Sequence, residues 1–218
     1  LTLLQQHQPS WRDDVRAWWA VTRAGNAAEA WSKAIYANNL GVARSLRLCG
    51  VSAKDITDWT FFRCYESATY DLMAEVLLAS GRTDWKYNNN YHDYILHRVA
   101  AAGDAQMVEM LLDLGAETTV RCGNDFTPLG CALHGWGERV ADWKWRCDVV
   151  KLLLKRGADA GVLEGRWKSS ALSYAPVDME MFTLLVEAGA PLQWSATDDD
   201  EDGAPLITKH ALFLLRSE

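Results

Sequence analysis

An all-α solenoid of stacked helix-turn-helix units is the fold that this sequence predicts, and three observations predict it. A leucine-rich helical turn that closes on glycine recurs five times, as SLRLCGV, VLLASGR, MLLDLGAE, LLLKRGAD and LLVEAGAP. The glycines, Gly50, Gly81, Gly115, Gly157 and Gly189, are spaced 31, 34, 42 and 32 residues apart, a period that belongs to repeat arrays. A second recurring piece, in which a turn enters a short helix, reads TFFRCYES, YILHRVAAAGD, TPLGCALHGW, SALSYAPVD and finally APLITKHA.

Taken in order, the chain divides into an N-terminal capping region, residues 1–26, and an array, residues 27–218. In SWRDDVRAWWAV, Ser10 with Asp13 three residues on resembles a capping box, and Trp11, Val15, Trp18 and Trp19 fall on one helical face. Such a helix is expected to close the exposed end of the first unit, with an interaction helix as the functional alternative. Each array unit then reads as turn, helix, short link, helix, loop. The closing glycine suits a helix C-cap, where a positive φ meets no Cβ clash. In NDFTPLGCALHGW, Thr127 is placed to cap the first helix, and Pro128 sits where a missing N–H is harmless. The end of the chain, KHALFLLRSE, reads as a terminal cap whose leucines seal the last unit.

These units resemble the ankyrin repeat family. The segment ILHRVAAAGDAQMVEMLLDLGAE follows that family's L-H-x-A-A-x-x-G-x-x-x-V-x-x-L-L-x-x-G-A pattern through Leu96, His97, Ala100, Gly103, Val108, Leu111, Gly115 and Ala116. FTPLGCAL and DVVKLLLKRGADA make a second strong unit, whereas the unit from Thr60 to Gly81 is degenerate and the one ending at Gly50 is recognisable mainly by its second helix. The resemblance spans roughly residues 27 to 215, as about five repeats and a truncated sixth that begins near Ala204.

Two departures stand out. The slot where the family carries histidine after T-P-L reads Arg63, His97, Gly130, Ser173 and Ile207, so only His97 keeps the family residue, with a structural hydrogen bond as its expected role. The link between the helices of the fourth unit, LHGWGERVADWKWRCD, is about nine residues longer than the family's and carries Trp136, Trp143 and Trp145. This insertion, at about residues 135–147, is expected either to fold back on the repeats or to present aromatic anchors to a ligand.

Composition narrows the function. The 218 residues are 49% hydrophobic, enough for a substantial core. The 22 basic and 29 acidic side chains leave a net charge of -7, which disfavours a phosphate backbone, so no nucleic-acid partner is expected. No apolar run approaches the ~20 residues that cross a bilayer. The expectation is an intracellular, cytoplasmic monomer with no membrane partner. Cys49, Cys64, Cys122, Cys131 and Cys147 form no C-x-x-C pair and read as reduced thiols; Cys64 and Cys131 share one repeat slot, which argues for packing. Neither a metal site nor a cofactor motif is found, and the run from Asp198 to Asp202 reads as a solvated loop whose spacing differs from an EF-hand.

The family's concave surface lies at fixed offsets from the T-P-L leucine. Carried onto this sequence, the resemblance implies binding positions at Trp59, then Asn90, Tyr91 and Asp93, then Asn124, Phe126 and His134, then Arg166, Trp167 and Asp178, with Trp136 and Trp143 of the insertion beside them. Trp59, Tyr91, Phe126 and Trp167 form an aromatic column suited to protein recognition. A protein-interaction module is therefore expected. The second reading is a small-molecule binding protein, or a cofactor-free cyclase or isomerase, with a pocket roofed by the insertion. In that case Asp93 or Asp178 would be tuned by desolvation and His134 would carry protons.

Overall fold

A computed structural model describes residues 11–67, 70–85, 94–135, 143–175 and 179–192. Among them the chain is all-helical: ten α-helices, one short 3-10 turn, and no strand beyond a single antiparallel bridge between Glu164 and Ser169. The chain forms two compact units, 1–88 with 113–116, and 89–112 with 117–218.

The first unit holds α1 (Trp11–Ala24), α2 (Ala27–Tyr36), α3 (Leu40–Leu48), α4 (Asp58–Ser67) and α5 (Tyr70–Ser80). Asn26 and Asn39 start α2 and α3 by accepting from the Glu29 and Val42 N–H groups at 2.8 and 3.1 Å. α3 packs on α5, and α4 packs on both α2 and α5. Trp31, Leu46, Phe61, Leu72, Leu77 and Trp85 are wholly buried between them. Both buried indoles find a carbonyl, Val51 for Trp31 at 2.9 Å and Arg82 for Trp85 at 3.1 Å, as a buried N–H requires. Trp85 also stacks on Phe61 with ring centroids 4.2 Å apart. On α5, the buried Glu75 carboxylate is held by Arg44, at 2.9 Å, and by Arg47, both on α3.

α1 forms where expected and packs on α2 and α3, but through a different face. Ala17 and Ala24 are buried, whereas Val15 and Trp19 are half exposed, with the Arg23 guanidinium 4.8 Å above the Trp19 ring. Two alanines seven residues apart permit close backbone approach, which an indole on that side would prevent. The side chains of Trp11 and Trp18 and all of Ser10 lie outside the described residues.

The second unit holds α6 (Ile95–Ala101), α7 (Ala105–Asp113, whose last residue falls to the first unit), α8 (Pro128–His134), α9 (Trp143–Lys155), the 3-10 turn (Ala171–Ser173) and α10 (Met179–Glu187). α8 packs on α6 and α9, and α10 packs on the 3-10 turn. Leu96, Val99, Val108, Leu129, Leu133, Val150, Leu153 and Leu172 form its interior. α9 runs for 13 residues where α7 and α10 have 9, so the C-terminal part of the long link is helix. The remainder, 136–142, lies outside the described residues.

The five expected glycines adopt φ of 73° (Gly50), 62° (Gly81), 91° (Gly115), 88° (Gly157) and 92° (Gly189), the left-handed backbone of a helix C-cap. His97 is buried, and its Nε2 lies 3.1 Å from the Val120 carbonyl. Cys64 and Cys131 are both core residues, and burial pushes the Cys64 thiol up to about 12.

Candidate functional site

Two consecutive turns of the second unit are bound to each other. In the first, Cys122 N–H donates to the Phe126 carbonyl at 3.0 Å and Asp125 N–H donates to the Cys122 carbonyl at 2.8 Å. In the second, Glu164 and Ser169 exchange both backbone bonds, at 2.8 and 3.0 Å, closing a hairpin whose tip is Gly165, Arg166, Trp167 and Lys168. Asp125 and Lys168 both hold positive φ, 65° and 50°, a backbone that aspartate tolerates in turns and that lysine adopts uncommonly.

A set of bonds runs from one turn to the other. Gly165 N–H donates to the Asp125 carbonyl at 3.0 Å, and the Arg121 guanidinium spans the Asp125 and Leu163 carbonyls. Lys168 pairs with the Asp125 carboxylate, which Arg121 approaches at 3.3 Å. The Lys168 bond, reinforced by Arg121, holds the Asp125 carboxyl below the usual range.

Beneath the tip, Glu164 is wholly buried. Its carboxylate accepts from the Thr127 backbone N–H at 2.8 Å and from the Thr127 hydroxyl, while that hydroxyl accepts from Gly130 N–H at 3.2 Å and caps α8. Burial raises the Glu164 pKa, against the opposing effect of the Thr127 donors. A Cβ on Gly130 would lie 2.5 Å from Glu164 Oε2 and 2.8 Å from the Phe126 ring. The missing side chain at this slot therefore makes room for the carboxylate.

Phe126 anchors an aromatic cluster. Its ring centroid lies 5.3 Å from His134 and 5.2 Å from Tyr174, which are themselves 5.4 Å apart. Burial of one side of the ring, with the Arg146 charge nearby, lowers the His134 pKa. Arg146, on α9, donates to the Ala132 and Leu133 carbonyls at 3.4 and 3.2 Å and so completes the end of α8.

The expected binding residues separate accordingly. Trp167 and Arg166 stand exposed on the hairpin tip, Trp167 at 74%. Asn124 lies in the first turn, partly buried, and His134 faces outward at the end of α8. Phe126 is a core residue at 5% exposure, so it supports the tip from below and is no surface anchor. Trp59, on the first turn of α4, is 64% exposed in the other unit. Asn90, Tyr91, Asp93, Trp136 and Asp178 lie outside the described residues, as does the side chain of Trp143, the first residue of α9. Sequence reasoning missed Glu164, Arg121, Lys168, Tyr174 and Arg146; the one available signal was the absent side chain at Gly130. Among the described residues, no group of three or more His, Cys, Asp or Glu side chains is placed to hold a metal, and no helix is long and apolar enough to cross a membrane. No family model matches the sequence, and a search of curated proteins finds no match to it.

Proposed function

We propose that this chain is an ankyrin-type repeat protein of the cell interior that recognises a protein partner, with Trp167 and Arg166 at the centre of the contact. The repeat reading is supported by four helix pairs that end on a positive-φ glycine, at Gly50, Gly81, Gly115 and Gly157, and by the same glycine, Gly189, after the 3-10 turn and α10. The binding reading rests above all on one observation: a tryptophan at 74% exposure on a hairpin tip that neighbouring backbone and side chains hold fixed. Tryptophan and arginine are the side chains most enriched at interface hot spots, and a fixed tip loses little entropy on binding.

The test is site-directed photo-crosslinking from position 167 in an extract of the source cells, with position 155 as an exposed control on α9. A discrete protein crosslinked from 167 alone is expected, and its affinity should fall about 30-fold in Trp167→Ala with helical content unchanged. Equal capture by wild type and Trp167→Ala would overturn the assignment.

The small-molecule alternative has one observation in its favour, the His134 ring set against Phe126 and Tyr174, with its pKa lowered by burial and by the Arg146 charge. A small molecule that co-purifies with the wild type and is lost in His134→Ala would favour it.

A further inference from the structure

Resting on the interaction reading, we propose that Glu164 is a protonation-controlled latch for the Arg166–Trp167 tip. Neutral, it seats the tip on the start of α8; ionised, it draws in water and loosens the tip.

The geometry carries this. Glu164 is wholly buried, and both bonds to its carboxylate come from a single neutral residue, Thr127. The charged groups around it are Arg121 and Asp125 from the preceding turn and Lys168 from its own hairpin. Arg121 is committed to the Asp125 and Leu163 carbonyls, and Lys168 to the Asp125 carboxylate. From α8 it meets Thr127 and Gly130, neither of which titrates. A buried carboxylate with neutral donors alone is poorly compensated when ionised.

The neutral acid fits without moving a heavy atom. Its Oε1–H donates to the Thr127 hydroxyl oxygen, reversing that bond. The reversed bond leaves the Thr127 hydroxyl proton without its Oε1 acceptor, a smaller penalty than a buried charge with no charged donor. The hydroxyl keeps its second lone pair for Gly130 N–H, and Thr127 N–H still donates to Oε2. The ionised form gains most from water, but Gly130 and the Phe126 ring fill the adjacent space. Hydration therefore requires the tip to lift. Glu164 is backbone-paired to Ser169, so its displacement moves the whole tip, including Trp167. The raised pKa agrees with this sense of the switch.

The full chain labelled with 5-fluorotryptophan reads this out by fluorine NMR, with the Trp167 resonance assigned by its loss in Trp167→Phe. Between about pH 4 and pH 8 that resonance should titrate with a midpoint above the ordinary glutamate value of 4.5. Glu164→Gln should abolish the titration and His134→Gln should leave it in place. A flat wild-type resonance, or a titration that survives Glu164→Gln, would overturn the latch. Should Glu164→Gln fail to fold, Thr127→Val removes one donor to the ionised form and should raise the midpoint by at least about half a unit. Thr127→Ser should not, and an unmoved midpoint in Thr127→Val would equally overturn it. No partner is present in this experiment, so a failed capture at Trp167 and a failed latch are separate results.

Discussion

Gly130 illustrates how, at the level of a single residue, an absent side chain shapes the site. Gly130→Ala sets a methyl group 2.5 Å from Glu164 Oε2 and 2.8 Å from the Phe126 ring. The carboxylate is bound to Thr127 and the ring is buried, so neither can retreat freely. The expected cost is about 2 kcal/mol, measured as a lower urea midpoint for the second unit; a midpoint equal to wild type would contradict this packing. Glu75 is the matching case in the first unit. Glu75→Ala leaves Arg47, whose side chain is 13% exposed, without its carboxylate, and should cost about 3 kcal/mol, while Arg44, at 42%, recovers hydration. Glu164 itself was illegible in the sequence because its partner Thr127 lies 37 residues away and nothing local marks a glutamate for burial. Gly130 was legible as an anomaly, without its cause.

At the level of elements, what could be read was whatever depends on local backbone. The helix-ending glycines fall into this class, since a C-cap needs only the chain around it. The buried face of α1 does not: which side turns inward depends on the shape of α2 and α3, and Ala17 and Ala24 fit where Val15 and Trp19 do not. The junction of α8 and α9 yields a pH prediction. His134, at the end of α8, has a pKa below the ordinary 6.5 because of burial and the Arg146 charge. As pH falls through 6.5 the unfolded chain takes up this proton first, so the His134 contribution to stability is present above that pH and lost below it, down to the folded value. Glu164 acts in the opposite sense, its raised pKa making stability fall as pH rises above 4.5. Melts of His134→Gln and Glu164→Gln between about pH 4.5 and 7.5 should separate the two slopes. Arg146→Gln should raise the His134 midpoint seen by NMR; an unchanged midpoint would remove Arg146 as a cause.

At the level of the whole molecule, the two compact units carry their own reporters. Cys64 is buried in the first, and Cys122 and Cys131 are buried in the second; Cys49 and Cys147 are partly exposed. None of the five forms a disulfide. Under native conditions a maleimide should label Cys49 and Cys147 and spare the other three, as read by peptide mass spectrometry. With rising urea, Cys64 should follow the opening of its unit and Cys122 with Cys131 that of theirs. Rapid native labelling of Cys131 would mean that α8 is less protected than its burial implies.

The bonds between the 122–126 and 164–169 turns also bear on how the second unit comes apart. Helical units open locally, from their least anchored end inward. Here Arg121, Asp125, Thr127 and Gly165 tie two successive turns of the second unit by backbone and side chain together. Unravelling that starts at the C-terminal end should stall at this seam, and the residues beyond it should exchange their amide hydrogens as one block.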